Sequence, residues 1–543
     1  MTAPQKEFVE SLNYPGKNLR PLAKWPISVP KDPYITDFSP FKGKKVAPKH
    51  FHYSLYFTAF DVRDYGPQIK KFMKIFSALD IKKVYLETYR DGYTVERETI
   101  EAAKEALLEE KIAVSGGVTP THFSDKVKNS YPTASGCFTD REANRKMKKV
   151  FEYTAELFDE IIIDDWFFTA CECADCKKAK GKKTWQEYRS KLMFDVSKKY
   201  VIEPAKKANK NVNIILKLPQ WYEKFYDRGY DLTKLIALYD EIGVGTETRD
   251  FNQARFMPEY GSMFFKYIKN LAPEKVKKAW FDIYQCNREI YAEQAYQSIL
   301  GGAHELILFC AGILPQPLMR PLVEELIEKT DKMDRLASFG KLFSVPVIRK
   351  ANTYGDELFT QYLLTLGIPC YMTDKHNVKE KMAVLTAQSA EKEEYSALFN
   401  QLLKQKKYMF ITSTFAKELR KYFNIEELKE EVKVDFISYK TAEAFMDNDV
   451  YITHEINNGK RIALVNNAYS FISVFKIKDS NIWVLNMPYT TDEITTHTGA
   501  KMNEHFRFLL RNPQAVRAIQ SAFDSYSNIK LYEAIKTFYK YKI

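Results

Sequence analysis

No apolar run in these 543 residues is long enough to cross a bilayer, which excludes an integral membrane protein. The N-terminus, Met-Thr-Ala-Pro-Gln-Lys-Glu, has no hydrophobic signal core; a removed leader would leave the same start, so the compartment stays open. Arg-rich tails, RNA-binding signatures, internal repeats and low-complexity segments are all missing. Cysteine is scarce, seven residues in all, and three of them crowd into six positions, a spacing that suits metal ligation better than a disulfide framework. The composition is otherwise ordinary, at 45% hydrophobic, 14% aromatic and 28% charged. That is enough apolar material for a sizeable core, and it excludes disorder and collagen-like structure. The net charge of +12 is spread over Lys-rich or mixed-sign stretches such as Lys177–Lys183, Glu274–Lys278 and Glu426–Lys433. Dispersed charge of this kind predicts a solvated surface and no nucleic-acid footprint.

Residues 1–50, rich in Pro, Lys and Tyr, read as an arm laid over the main domain. Eight β-rich runs then alternate with amphipathic helical stretches over residues 51–337: 52–59, 83–89, 112–118, 160–166, 212–219, 242–247, 279–285 and 305–311. Eight such alternations predict an α/β fold, a closed (β/α)8 TIM barrel. Residues 338–431 suggest a flavodoxin-like α/β domain, and 432–543 a small β-rich C-terminal domain closed by a helix near Pro513–Tyr526.

Barrel active sites sit at the C-terminal ends of the strands, and that rule selects the candidates. The first strand ends near Asp61, the second in Glu87 and Arg90, the third near Thr119 and His122, and the fourth in Asp164-Asp165-Trp166. The fifth supplies Lys217, Gln220 and Trp221, the sixth Glu247 and Arg249, and the seventh Asp282 and Tyr284. Carboxylates beside aromatic faces suit glycosidic bond hydrolysis, in which one acid protonates the leaving oxygen and a second carboxylate attacks or activates water. Asp61 and Asp250 read as helix caps. Because strand neighbours point to opposite faces, one of the adjacent pair, Asp165, faces the pocket as general acid, and Asp164 raises its pKa. Glu247 and Asp282 remain equal candidates for the second carboxylate. Glu87, Arg90, Lys217, Trp221, Arg249 and Tyr284 are expected to line the sugar pocket, and the cations among them suggest an acidic sugar. Cys171, Cys173 and Cys176, with Cys137 as the fourth ligand, form a closed four-thiolate set that suits structural zinc.

A barrel acid at the end of strand four, followed by Cys-x-Cys-x-x-Cys with a fourth cysteine some thirty residues upstream, resembles the glycoside hydrolase family 42 β-galactosidases. The order of domains is similar over nearly the whole chain. The resemblance implies glycoside hydrolysis, a structural zinc, and a flavodoxin-like domain used for trimerisation, hence a homo-oligomer. The chain departs from that family's pattern at two places: Asp164-Asp165 stands where the family has Asn-Glu, and Asp282 where it has a strand-seven Glu. Two Asp acids on this scaffold would leave a wider gap, so an Asp165–Asp282 pair predicts inversion, whereas Asp165–Glu247 leaves the outcome open. Adjacent acids at strand four also resemble substrate-assisted N-acetylhexosaminidases, in which one Asp orients the acetamido group. The same departures admit a non-catalytic glycan-binding protein on a degenerate barrel. In the second domain Cys370 lacks a glycine-flanked nucleophile elbow, so amidotransferase activity is not expected.

Overall fold

A computed structural model describes residues 37–42, 47–124, 136–249, 256–338, 344–446, 449–490, 493–495, 501–503 and 509–527. The chain forms two compact units that divide between residues 340 and 341. The first contains β1 (His52–Phe57), β2 (Lys83–Arg90), β3 (Ala113–Val118), β4 (Glu160–Ile163), β5 (Asn213–Leu218), β6 (Glu241–Gly245), β7 (Val276–Asp282) and β8 (Glu305–Phe309). Each pairs in parallel with the next, and β8 pairs with β1, so the eight-stranded barrel is closed. All eight expected runs are strands. The fourth stops at Ile163, short of the expected Trp166, because the Asp164 carboxylate accepts the Asp165 N–H at 2.8 Å and turns the chain. Asp61 caps the helix Ala59–Tyr65 in a reciprocal box with Thr58, as expected, while Asp250 lies outside the described residues.

Inside the barrel, Tyr56, Tyr85, Ile162, Ile215, Trp280 and Ile307 form one buried layer. Gly117 makes room for it, since a Cβ there would overlap the Tyr56 ring. Below this layer the starts of the strands carry charge. Glu305 accepts from Ser54 (2.6 Å) and Tyr85 (2.8 Å), and Lys278 bridges Glu241 (2.7 Å) and Glu305 (3.5 Å). Paired in this way, the acids and lysines close the N-terminal end without leaving a buried charge uncompensated. Of the expected arm, the described end lies against the barrel: Arg320 donates to the carbonyls of Asp37 and Pro40, and the Phe38 ring meets Phe72. The remainder of the arm falls outside the described residues.

The second unit holds β9 (Val345–Ile348), β10 (Cys370–Thr373), β11 (Met382–Leu385), β12 (Tyr408–Thr412), β13 (Ile425–Lys433), β14 (Phe436–Tyr439), β15 (Ala442–Phe445), β16 (Val450–Ile456), β17 (Lys460–Val465), β18 (Tyr469–Ile477), β19 (Ser480–Leu485) and β20 (Pro488–Thr490). Its main sheet runs in the order β10-β9-β11-β12-β19-β18-β17-β14-β15. The parallel half continues into the antiparallel half where β12 pairs in parallel with β19. The segments expected as two domains, 338–431 and 432–543, therefore share one sheet. Leu398, Phe399, Leu402, Ile411 and Val484, drawn from both segments, are buried in one cluster. No helix among the described residues is long and apolar enough to cross a membrane.

Candidate active site

Six strand ends converge at the barrel mouth. Glu87, on β2, is fully buried and accepts from Tyr56 Oη (2.6 Å), the Ala59 N–H (2.6 Å), Thr119 Oγ1, and both Nε (2.8 Å) and Nη2 (3.0 Å) of Arg90. Its oxygens are thus taken up within the protein. Where the sequence suggested a pocket-lining group, Glu87 is a support for Arg90. Arg90 Nη2 in turn reaches Asp164 Oδ2 at 2.8 Å, and the Thr119 hydroxyl, shared with Glu87, lies 3.1 Å from the same oxygen. The other oxygen of Asp164 accepts from Asp165 N–H and from Lys217 Nζ at 3.2 Å. Burial alone would raise the Asp164 carboxyl, but Lys217 and Arg90 outweigh it and hold the group well below the usual carboxylate range.

Asp165 behaves oppositely. Its side chain keeps 22% exposure, and Lys217 is farther away, at 3.4 Å. Burial, with the negative charges of Asp164 and Glu247, pushes its carboxyl up to about 7 against the pull of Lys217. Lys217, on β5, packs its ammonium 4.4 Å above the Trp280 ring and donates to Glu247 Oε1 at 2.7 Å. Burial opposes its charge, yet Asp165, Glu247 and Asp164 together keep it protonated. Glu247 lies just past β6, 2% exposed, and its Oε2 is buried without a hydrogen-bond donor among the described residues. Burial raises its carboxyl, with Lys217 pulling down and Asp282 adding to the rise. Because Asp165 Oδ2 and Glu247 Oε1 share one ammonium, the two contacts cap their separation at about 6 Å.

Asp282, at the end of β7, is gripped by Arg249 through Nε (3.1 Å) and Nη2 (2.6 Å) and accepts the Tyr284 N–H at 3.1 Å. Arg249 takes a left-handed backbone (φ 50°) and also lies 5.7 Å over the Tyr284 ring, which is partly exposed at the mouth. Trp221 does not offer a sugar platform: it is 3% exposed, with Phe168 (4.9 Å), Phe225 (5.2 Å) and Tyr230 (5.6 Å) around it. Gln220 is likewise buried, and His122 is exposed and bonded to Asp91 at 3.0 Å. The sequence reading missed Tyr56 and Tyr230, whose hydroxyl donates to the Asp165 carbonyl at 3.0 Å. Inward alternation on β1 marks Tyr56; nothing in the local sequence marks Tyr230.

Beyond Asp165 the chain runs directly into the cysteine cluster. The sulfurs of Cys137, Cys171, Cys173 and Cys176 all lie within 4.8 Å of one another, and Cys137 is 3.7 Å from both Cys173 and Cys176. A tetrahedral ion with metal–sulfur bonds of about 2.3 Å has edges near 3.8 Å, so these four thiols fit one metal ion and leave no open position. Thr139 Oγ1, 2.9 Å from the Cys137 sulfur, supports the set from outside. The cluster ties the loop after β4 to residue 137 in the connection after β3.

Residues 42–331, the barrel with the first part of its last helix (Arg320–Ser338), match the family described as "Probable glycosyl hydrolase, catalytic domain". The chain belongs to this glycosyl hydrolase family. An uncharacterized protein of Saccharolobus solfataricus is 30% identical to the hydrolase over 411 residues, covering 68% of this chain and 67% of its own. Among solved structures, the hydrolase is similar to a cold-adapted β-galactosidase from Rahnella sp. R3 (10% identity, 90% of each chain covered, TM-score 0.59). It is also similar to a catalytic mutant of a family 42 β-galactosidase from G. stearothermophilus (9%, 86% and 88%, TM-score 0.56). A third is α-L-fucosidase isoenzyme 2 from Paenibacillus thiaminolyticus (9%, 89% and 84%, TM-score 0.60). At such identities the likeness is one of fold, and the resemblance to family 42 holds at that level.

Proposed function

We propose that the hydrolase cleaves a glycosidic bond of a neutral sugar with Asp165 as general acid and Glu247 as nucleophile, retaining the anomeric configuration. The observation that carries this reading is the sharing of Lys217 by these two carboxylates. Lys217 sits closer to Glu247 (2.7 Å) than to Asp165 (3.4 Å), so it favours the ionised form of Glu247 and leaves the proton on Asp165. Asp165 gives that proton to the leaving oxygen while Glu247 bonds to the anomeric carbon. Water, deprotonated by Asp165, then releases the sugar and restores both groups. Retaining pairs stand about 5–5.5 Å apart and inverting pairs about 6.5–9.5 Å; holding the Lys217-facing oxygens of the two groups within about 6 Å of each other favours the closer, retaining spacing.

Asp164 is held within the protein by Arg90, the Asp165 N–H and Lys217, which weighs against its orienting an acetamido group. Arg90, Lys217 and Arg249 all face carboxylates (Glu87 with Asp164, the Asp164–Asp165–Glu247 group, and Asp282). Among the described residues the mouth therefore carries more acids than cations, which favours a neutral sugar over the acidic one expected from the basic residues alone. We assign Zn2+ to the four cysteines as a structural ion, with no part in the chemistry.

The test is sugar release from a panel that includes β-galactosides and α-L-fucosides, the substrate types named for the structural neighbours, with Asp165→Asn beside the wild type. Release that disappears in the variant supports the assignment, and release that survives moves the acid elsewhere. No release combined with saturable binding would favour a glycan-binding protein.

A further inference from the structure

We propose that His122 is a binding residue for the sugar on the leaving-group side of the scissile bond, its Nε2 hydrogen-bonded to one hydroxyl of that ring. This rests on Asp165 being the general acid. His122 follows β3 in a segment whose other side chains pack inward. Thr121 and Phe123 are buried, and Phe123 stacks on Tyr89 (centroids 4.4 Å, planes 2° apart). The histidine between them turns out: its side chain is 46% exposed, on a left-handed backbone (φ 55°) that disfavours any residue with a Cβ. The outward ring is nevertheless held. Asp91 Oδ1 accepts the His122 Nδ1–H at 3.0 Å, and the same oxygen accepts from Thr121 Oγ1 at 2.7 Å. Thr121 in turn accepts the Asp91 N–H at 3.1 Å, and Tyr89 Oη donates to the Thr121 carbonyl at 2.9 Å. With Nδ1 on a carboxylate, Nε2 is the nitrogen left for a ligand, and it meets no partner among the described residues. Bare, it accepts a hydroxyl hydrogen; protonated, it donates to the hydroxyl oxygen, so it serves a sugar hydroxyl in either state.

Strand order assigns the side. β3 pairs with β4, so the segments that leave them start side by side, and the Thr119 hydroxyl lies 3.1 Å from Oδ2 of Asp164, the acid's neighbour. His122 therefore stands on the flank of Asp165, with β4 and β5 between it and the Glu247 that follows β6. Depth runs the same way: side-chain exposure rises from 3% at Glu247 through 22% at Asp165 to 46% at His122. The reacting ring belongs at the deep end, against Glu247. The general acid stands beside the leaving oxygen, so the leaving group extends outward past Asp165. On the other flank of β4, the Gln220 and Trp221 that follow β5 are buried, which directs the outgoing ring to the His122 side.

A glycosyl fluoride separates the roles, because fluoride departs without protonation and carries no second ring. His122→Ala and Asp165→Asn are compared with the wild type on the disaccharide that the release panel identifies and on the fluoride of the same reacting sugar. His122→Ala should lower kcat/KM on the disaccharide roughly fivefold, the scale of one hydrogen bond, and leave the fluoride within about twofold. Disaccharides whose leaving ring lacks one hydroxyl at a time identify the partner. Removing the right hydroxyl should cost the wild type the same factor and His122→Ala almost nothing. Asp165→Asn should lose the disaccharide and keep the fluoride. Should His122→Ala fail to fold, disaccharide titration of Glu247→Gln, labelled at the histidine nitrogens, should still shift the His122 Nε2 resonance, whereas the reacting monosaccharide should not. Equal losses on both substrates, no loss on either, or no hydroxyl whose removal is felt less by His122→Ala overturns the contact. A resonance that stays in place, or moves as far with the monosaccharide, overturns it too. Disaccharide turnover by Asp165→Asn overturns the acid assignment independently of His122. A panel with no turnover overturns both.

Discussion

Arg249 holds both carboxylate oxygens of Asp282, Nε at 3.1 Å from Oδ1 and Nη2 at 2.6 Å from Oδ2. A carboxylate held by two charge-assisted bonds is a weak nucleophile. Glu247, with one oxygen on Lys217 and the other without a donor among the described residues, is the carboxylate left to attack. Glu247→Gln should therefore lower kcat on the order of 10³-fold. Asp282→Asn should act mainly on stability, by roughly 3 kcal/mol, because Arg249 loses a partner it holds at a largely buried site. Steady-state kinetics and urea unfolding of the two variants distinguish these effects. NMR of the first-formed anomer should find the configuration retained; an inverted product would return Glu247 to the role of a base acting on water.

The pH profile should follow the proton on Asp165. A general acid works only while protonated, and burial with two neighbouring carboxylates raises this one to about 7. kcat/KM should hold at mildly acidic pH and fall tenfold per pH unit above about 7. Asp164→Asn removes one of the charges that raise the acid, so the falling limb should move to lower pH. A limb that stays in place would show that the proton is not held by this pair.

Gly245, at the end of β6, should tolerate a methyl group poorly for catalysis and well for folding. A Cβ at that position would run into Glu247 Oε2, the far end of a side chain that can move, with the Leu218 carbonyl 3.1 Å away. Gly245→Ala is expected to displace the nucleophile and cost at least about tenfold in kcat, the scale of a misplacement near 1 Å. Tm should shift little. A large loss of Tm with normal kcat in the remaining folded enzyme would contradict this.

One zinc per chain should be found by elemental analysis, and Cys173→Ser should abolish it. Removing the metal frees the loop that begins at Asp165, so both Tm and kcat should drop, whereas a Cys286→Ser control should retain the metal. Cys286 is buried away from the cluster, within 3.2 Å of the Tyr284 carbonyl.

The barrel was legible because each strand carries its own local signature. Ile161–Ile163, for instance, is a short β-branched run between a helical stretch and a pair of acids, which reads as a buried strand. The four cysteines were legible for the same reason: spacing alone marks a ligand set. The end of β4 was not, because neither Gly nor Pro separates Ile163 from Trp166 and the two Asp residues between them also suit a strand end. The break comes from Asp164, fixed by Arg90 and Lys217 from two other strands. Glu87 and Trp221 looked like pocket residues on position alone. Only the packing of Tyr56, Thr119 and Ala59 around the one, and of Phe168 and Tyr230 around the other, makes them supports. In the second unit the strands could be read but their order in the sheet could not, since that depends on pairings distant in sequence.

The neighbour relation of β12 and β19 has a consequence for synthesis on the ribosome. Residues 408–412 leave the ribosome well before 480–485 and then wait with one edge of the sheet open. A nascent chain halted between them, or a fragment cut at residue 431, exposes the unpaired backbone of a largely buried strand, a template for intermolecular pairing. This edge of the second unit is therefore covered only once residues 480–485 have been translated.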